Sequence, residues 1–113
     1  MYRLPKDFDG SFLVGRTLEM VCFNQNQVYL HFDAKITITI ESSFSSQNDQ
    51  IISVPVRESN LMKLLELTVS EVQGEEDGTL LLTFSNGEML KIYDTSQQYE
   101  SYRITYKDDV IIV

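Results

Sequence analysis

The stretch LLTFSNGEMLKI, Leu81 to Ile92, has an earlier counterpart of equal length in YLHFDAKITITI, Tyr29 to Ile40. Each has an aromatic residue just before a polar break and aliphatic residues at matching places. Val28, Leu30 and Phe32 share one parity, and beyond the break so do Ile36, Ile38 and Ile40, alternating with Thr37 and Thr39. In the later stretch Leu80, Leu82 and Phe84 share a parity, as do Leu90 and Ile92. Period two marks half-buried strands, so both stretches read as β-hairpins.

Burial fixes the turns. A two-residue loop at Asn86-Gly87 would set Lys91 opposite Leu82. A three-residue loop, Ser85 to Gly87, instead pairs Leu82 with Leu90 and Leu80 with Ile92. It also puts Gly87 at the left-handed position of a type I turn with a G1 bulge. The equivalent loop upstream is Asp33 to Lys35, pairing Leu30 with Ile38 and Val28 with Ile40. Lys35 then takes the left-handed site, a strain of roughly 1 kcal/mol that glycine would relieve.

The likeness extends outward. FLVGRTLEMV (Phe12 to Val21) resembles KLLELTVSEV (Lys63 to Val72) at an offset of 51, against 52 in the hairpins. One extra residue in a connecting loop, Asn24 to Gln27 or Gly74 to Gly78, accounts for the difference. DQIISV (Asp49 to Val54) resembles DDVIIV (Asp108 to Val113) at an offset of 59. The expected fold class is therefore α+β, predominantly β: one domain, 1–113, of two similar halves, about 1–57 and 58–113, each a short helix plus antiparallel strands, related by a pseudo-twofold axis. Neither half alone buries enough apolar surface to fold.

Each half is expected to open on a short helical turn. Ser59 caps one in which Leu61, Leu64 and Leu65 line a face. Gly10-Ser11 leads into the other, which Gly15 ends. Strands follow at about 18–23, 28–33, 36–41 and 51–56, then at about 68–73, 79–85, 88–94, 101–106 and 110–113. Pro55 sits near a strand end, and Ser42 to Gln50 reads as the one flexible polar loop.

The 113 residues carry a net charge of -8. Residues 1–57 hold five Lys/Arg against six Asp/Glu, and residues 58–113 four against eleven, so the halves carry -1 and -7. Such a surface disfavours nucleic acid and anionic membranes and favours a basic protein partner. No run approaches the roughly 20 apolar residues of a membrane span, and MYRLPKDFDGSF lacks a signal peptide's apolar core. A soluble cytoplasmic protein is expected. A single cysteine, Cys22, excludes an internal disulfide.

Chemistry-bearing patterns are sparse. His31, the only histidine, lies on the polar parity of its strand without partners for a triad, a metal cage or an acid-base pair. No Lys or Arg neighbours Cys22 to lower its pKa. Lys6 to Gly10 (KDFDG) opens like a calcium loop but has Leu18 where the twelfth-position glutamate belongs. No phosphate-cradling glycine loop exists. Asp108-Asp109 read as turn residues. No catalytic residue, metal site or cofactor is expected. Glu75, Glu76 and Asp77, between Gly74 and Gly78, read as a solvated hairpin loop or a contact for a basic partner. In QQYESYRITY (Gln97 to Tyr106), alternation puts Glu100, Tyr102, Ile104 and Tyr106 on one face and Tyr99 on the other. A carboxylate at a core edge must find donors or a cation, or protonate. A structural partner for Glu100, a backbone loop or an arginine, is the plainer account beside a ligand-binding role for Tyr99, Glu100 and Tyr102.

The ordered set of Leu13 to Gly15, QVYLHFD (Gln27 to Asp33), DGTL (Asp77 to Leu80), FSNGEMLKI (Phe84 to Ile92) and YESY (Tyr99 to Tyr102) resembles a family of small bacterial proteins of unknown function. For function, the resemblance implies an immunity protein that neutralises toxins from neighbouring cells; it carries no established activity and no catalytic residues. The expected function is thus a non-enzymatic acidic binding protein. The alternatives are a small-molecule binder or enzyme with a pocket between the halves, or a homodimer completed through the terminal strand.

Overall fold

A computed structural model describes residues 4–46, 51–54, 61–96 and 100–113. Ten strands are assigned: β1 Leu18–Phe23, β2 Val28–Phe32, β3 Ile36–Ile40, β4 Ser43–Ser46, β5 Ile52–Ser53, β6 Val69–Gly74, β7 Leu80–Phe84, β8 Met89–Tyr93, β9 Tyr102–Tyr106 and β10 Asp109–Ile112. They form two antiparallel five-stranded sheets, one ordered β1-β2-β3-β9-β10 and the other β5-β4-β8-β7-β6.

Both hairpins have the register that burial dictates. Leu30 lies opposite Ile38 and Val28 opposite Ile40; Leu82 lies opposite Leu90 and Leu80 opposite Ile92. All eight of these side chains are fully buried. The strands beside them match too: β1 is bulged between Leu18 and Met20 against β2, and β6 between Val69 and Glu71 against β7. The extra residue therefore falls in the loop between β6 and β7.

The turns differ in one respect. Gly87 has φ 87°, as a G1 loop requires, and Lys35 has φ 61°, but Ala34 is also left-handed at φ 59°. Two consecutive residues carrying Cβ atoms thus occupy a region that costs roughly 1–2 kcal/mol each. Lys35→Gly and Ala34→Gly are each expected to stabilise the protein by about 1 kcal/mol, read as a raised urea midpoint at unchanged m-value.

The first half does not keep its own fourth and fifth strands. β4 pairs with β8, placing Phe44 opposite Ile92, while β9 pairs with β3, placing Tyr102 opposite Ile40 and Ile104 opposite Ile38. The β4–β5 pair of the first half completes the sheet of the second, and the β9–β10 pair of the second completes that of the first. The halves also meet backbone to backbone where Thr17 bridges Thr68. There the Leu18 N–H donates to Leu67 O at 3.0 Å and the Val69 N–H to Arg16 O at 2.8 Å. One core, including Leu30, Ile38, Phe44, Leu82, Leu90 and Tyr102, draws on both sheets.

Two expectations are corrected. Ser42 to Gln50 is not simply a polar loop, because Ser43–Ser46 is a strand with all four residues buried. Phe44 anchors it in the core, and the hydroxyls of its neighbours are satisfied, Ser45 Oγ by Tyr93 Oη at 2.7 Å and Ser43 Oγ by Thr95 Oγ1 at 3.0 Å. Residues 47–50 lie outside the described residues. The helical turns are single 3-10 turns, Ser11–Leu13 and Leu61–Leu64. Gly10 provides no side-chain cap to the first, and Gly15 follows it at φ 84°. Ser59 and Pro55 lie outside the described residues.

Candidate functional site

The acidic loop is built by its own backbone. Leaving β6, the Glu75 N–H donates to Thr79 O at 2.8 Å and the Gly78 N–H to Glu75 O at 3.0 Å. The Thr79 N–H donates to Asp77 Oδ1 at 2.9 Å. That bond holds the Asp77 carboxyl below its ordinary pKa. Glu75, Glu76 and Asp77 are all exposed.

The loop is fastened from beneath. Gly78 is buried at φ 91°, and a Cβ there would lie 2.5 Å from Asp94 Oδ2, so only glycine fits. The Tyr102 hydroxyl reaches from the other sheet to donate to Gly78 O at 2.7 Å. Burial, then the charges of Asp94 and Asp77, push the Tyr102 phenol far above its ordinary pKa, so it stays a donor. Asp94 in turn accepts from Ser101 Oγ at 2.8 Å. Tyr102 is completely buried: it reaches the loop as a strut and presents no surface to a ligand. Beside the loop lies an open cleft of about 540 Å³, walled by Leu4, Pro5 and Phe8 on one side and Gly74, Glu75 and Glu76 on the other, with Lys6 at its rim.

Glu100 lies elsewhere, and Tyr99 is outside the described residues. The chain bends at Ser101, which is itself fully buried. Strand alternation therefore starts only at Tyr102, and Glu100 does not follow Tyr102 into the core. Its carboxylate stands 3.9 Å from Arg103 Nη1, the arginine partner anticipated from sequence, with about a quarter of the side chain exposed. It also meets Glu41, which sequence reasoning missed. Glu41 Oε1 accepts from Gln27 Nε2 at 3.0 Å, while Glu41 Oε2 is buried without a standing donor. Two carboxyl groups can share a hydrogen bond only when one of them is protonated. Hydrogen bonding to Glu41, then burial and the Glu41 charge, raise the Glu100 pKa against the opposing pull of Arg103.

A carboxyl with its folded pKa raised binds protons more readily in the folded state, so its relative contribution is best at low pH and is lost as pH rises through that pKa. Glu100→Gln is therefore expected to raise the melting temperature at pH 7, with the gain vanishing on acidification below the ordinary glutamate range. A gain of equal size at both ends would show that the Glu100 carboxyl does not titrate against Glu41.

His31 is occupied structurally: its Nδ1 lies 3.0 Å from Thr37 Oγ1, and its ring stacks parallel to Tyr29 at 5.9 Å. Cys22 is half-buried. Among the described residues no cluster of three or more His, Cys, Asp or Glu side chains could hold a metal ion, and no helix is long and apolar enough to cross a membrane.

A model of a family of unknown function (DUF6188) matches residues 11–113. The chain belongs to that family. No curated protein and no solved structure matches it. The family match takes in the acidic loop, Tyr102, and the Glu41 and Glu100 pair. It begins after Leu4, Pro5 and Phe8, so one wall of the cleft lies outside the part of the chain that defines this DUF6188 member.

Proposed function

We propose that the protein is a non-enzymatic binding protein whose acidic second half, led by Glu75, Glu76 and Asp77, holds a basic protein partner, in the manner of an immunity protein in the bacterial cytoplasm. The observation that carries this reading is the construction of the loop. Three exposed carboxylates stand on a turn closed by its own hydrogen bonds and tied through Gly78 to a buried tyrosine. Charges held in place before contact lose little entropy on binding, and a negative surface speeds encounter with a positive one. The excess of acidic residues in the second half adds to the same field.

The architecture behind this surface is read as an internal repeat, two like units related by a pseudo-twofold axis passing near Thr17 and Thr68. Matching bulges and hairpin registers support that reading.

The test is capture of basic proteins from the source cell, followed by affinity measured against salt. Charge pairing requires affinity to fall as salt rises. The triple variant Glu75→Gln, Glu76→Gln, Asp77→Asn should bind at least about tenfold more weakly, the loss of roughly 1.4 kcal/mol. A partner held equally well by this variant would count against the loop.

A further inference from the structure

We infer that the free edge of β10 is an interface for a second copy of this chain, joined antiparallel about a twofold axis at Ile111. Four strands end the two sheets: β1, β10, β5 and β6. Exposed edges invite unwanted pairing, and proteins blunt them with bulges, brevity, lysine or proline. β1 and β6 are bulged and meet across the Thr17–Thr68 bridge. β5 has only two residues. β10 has four, Asp109–Ile112, in unbroken register with β9, without lysine or proline and with its one charge, Asp109, at its first position. No described strand pairs with its outer side. Val110 on this strand is 52% exposed. An open groove of about 460 Å³ runs alongside, lined by Phe12, Ile104, Tyr106, Asp109, Val110 and Ile111.

The backbone sets the register of the pairing. Val113 and Tyr102 exchange both hydrogen bonds, at 3.0 and 3.3 Å, and antiparallel pairs alternate between bonded and non-bonded. Ile111 and Asp109 therefore bond inward to Ile104 and Tyr106, and the N–H and C=O groups of Val110 and Ile112 point outward. A second copy satisfies them by setting its Ile112 against Val110 and its Val110 against Ile112, with Ile111 facing Ile111. The central pairs, Val110 with Ile112 and Ile111 with Ile111, are then uncharged, and the two Asp109 carboxylates stand roughly 14 Å apart, beyond the ~8 Å Debye length at physiological salt. The outcome is one continuous sheet with five strands from each copy.

Sedimentation velocity of the full chain from micromolar to millimolar concentration tests this. The wild type is expected to shift from one chain to two. Val110→Pro removes only an outward N–H, so it should keep the wild-type circular dichroism while weakening association about tenfold or more. In a Cys22→Ser background, Ile111→Cys should cross-link under mild oxidation, since facing residues of such a pair are within disulfide reach. Val110→Cys, which faces Ile112, should cross-link far less. A wild type that stays monomeric at millimolar concentration overturns the inference. So does a dimer that Val110→Pro leaves intact, or one in which Val110→Cys cross-links as readily as Ile111→Cys. Association measured in this way is independent of any basic partner.

Discussion

Residues 1–57 produced alone are expected to stay unfolded, as are residues 58–113, while the two mixed together recover the native circular dichroism as a one-to-one complex. The expectation rests on the exchange of strand pairs between the halves. Cut from the second half, β3 loses β9, and with it the buried Tyr102 and Ile104 that lie opposite Ile40 and Ile38. β4 loses β8, leaving Phe44 without Ile92. Each fragment would expose about half of a shared core, a loss far beyond the 5–15 kcal/mol by which domains are stable. Recovery on mixing requires no covalent link, because the pairings that complete each sheet already run between the halves. A first fragment that gave well-dispersed amide resonances as a monomer would mean that β3 is satisfied by its own β4. The exchange would then be a preference rather than a requirement.

Phe32→Ala and Phe84→Ala are each expected to cost about 3–5 kcal/mol, enough to consume much of the stability of a domain this size. Phe32 is 3% exposed and Phe84 1%. Both rings stand at the end of a hairpin arm, each opposite the bulged neighbour strand, Phe32 facing Leu18 and Phe84 facing Val69. The cost grows with the volume of the cavity that the surrounding strands fail to fill. Urea titrations at unchanged m-value would measure it. Near-equal losses are expected because the two rings hold matching places, and a loss below about 1 kcal/mol at either would show a site that relaxes.

The hairpins were legible because their register is decided locally. Three loop residues and the parity of the flanking aliphatics leave one arrangement that buries all the apolar side chains. β4 was not legible. Its serines look like loop, and they are buried only because β8, more than forty residues away, lies alongside and supplies Tyr93 as a partner for Ser45. Glu100 was recognised as a carboxylate in need of a partner, and Arg103 was within reach of sequence reasoning because it lies three residues on. Glu41 was out of reach, since only the pairing of β3 with β9 brings it near. Alternation run backward through Ser101 pointed Glu100 into the core, and a single bend undid it. The acidic loop was plain from its glycine borders, whereas the tyrosine beneath it belongs to the other sheet.

The exchanged strands also set a schedule for synthesis. β3 leaves the ribosome with Ile36, Ile38 and Ile40 ready to pair, but Tyr102, the residue that meets Ile40, is made 62 positions later. At ~5–20 residues per second the nascent chain carries that open edge for about 3–12 s. Contacts so distant along the chain also slow folding after release. For those seconds an isoleucine-rich strand edge is open to pairing with any neighbouring polypeptide.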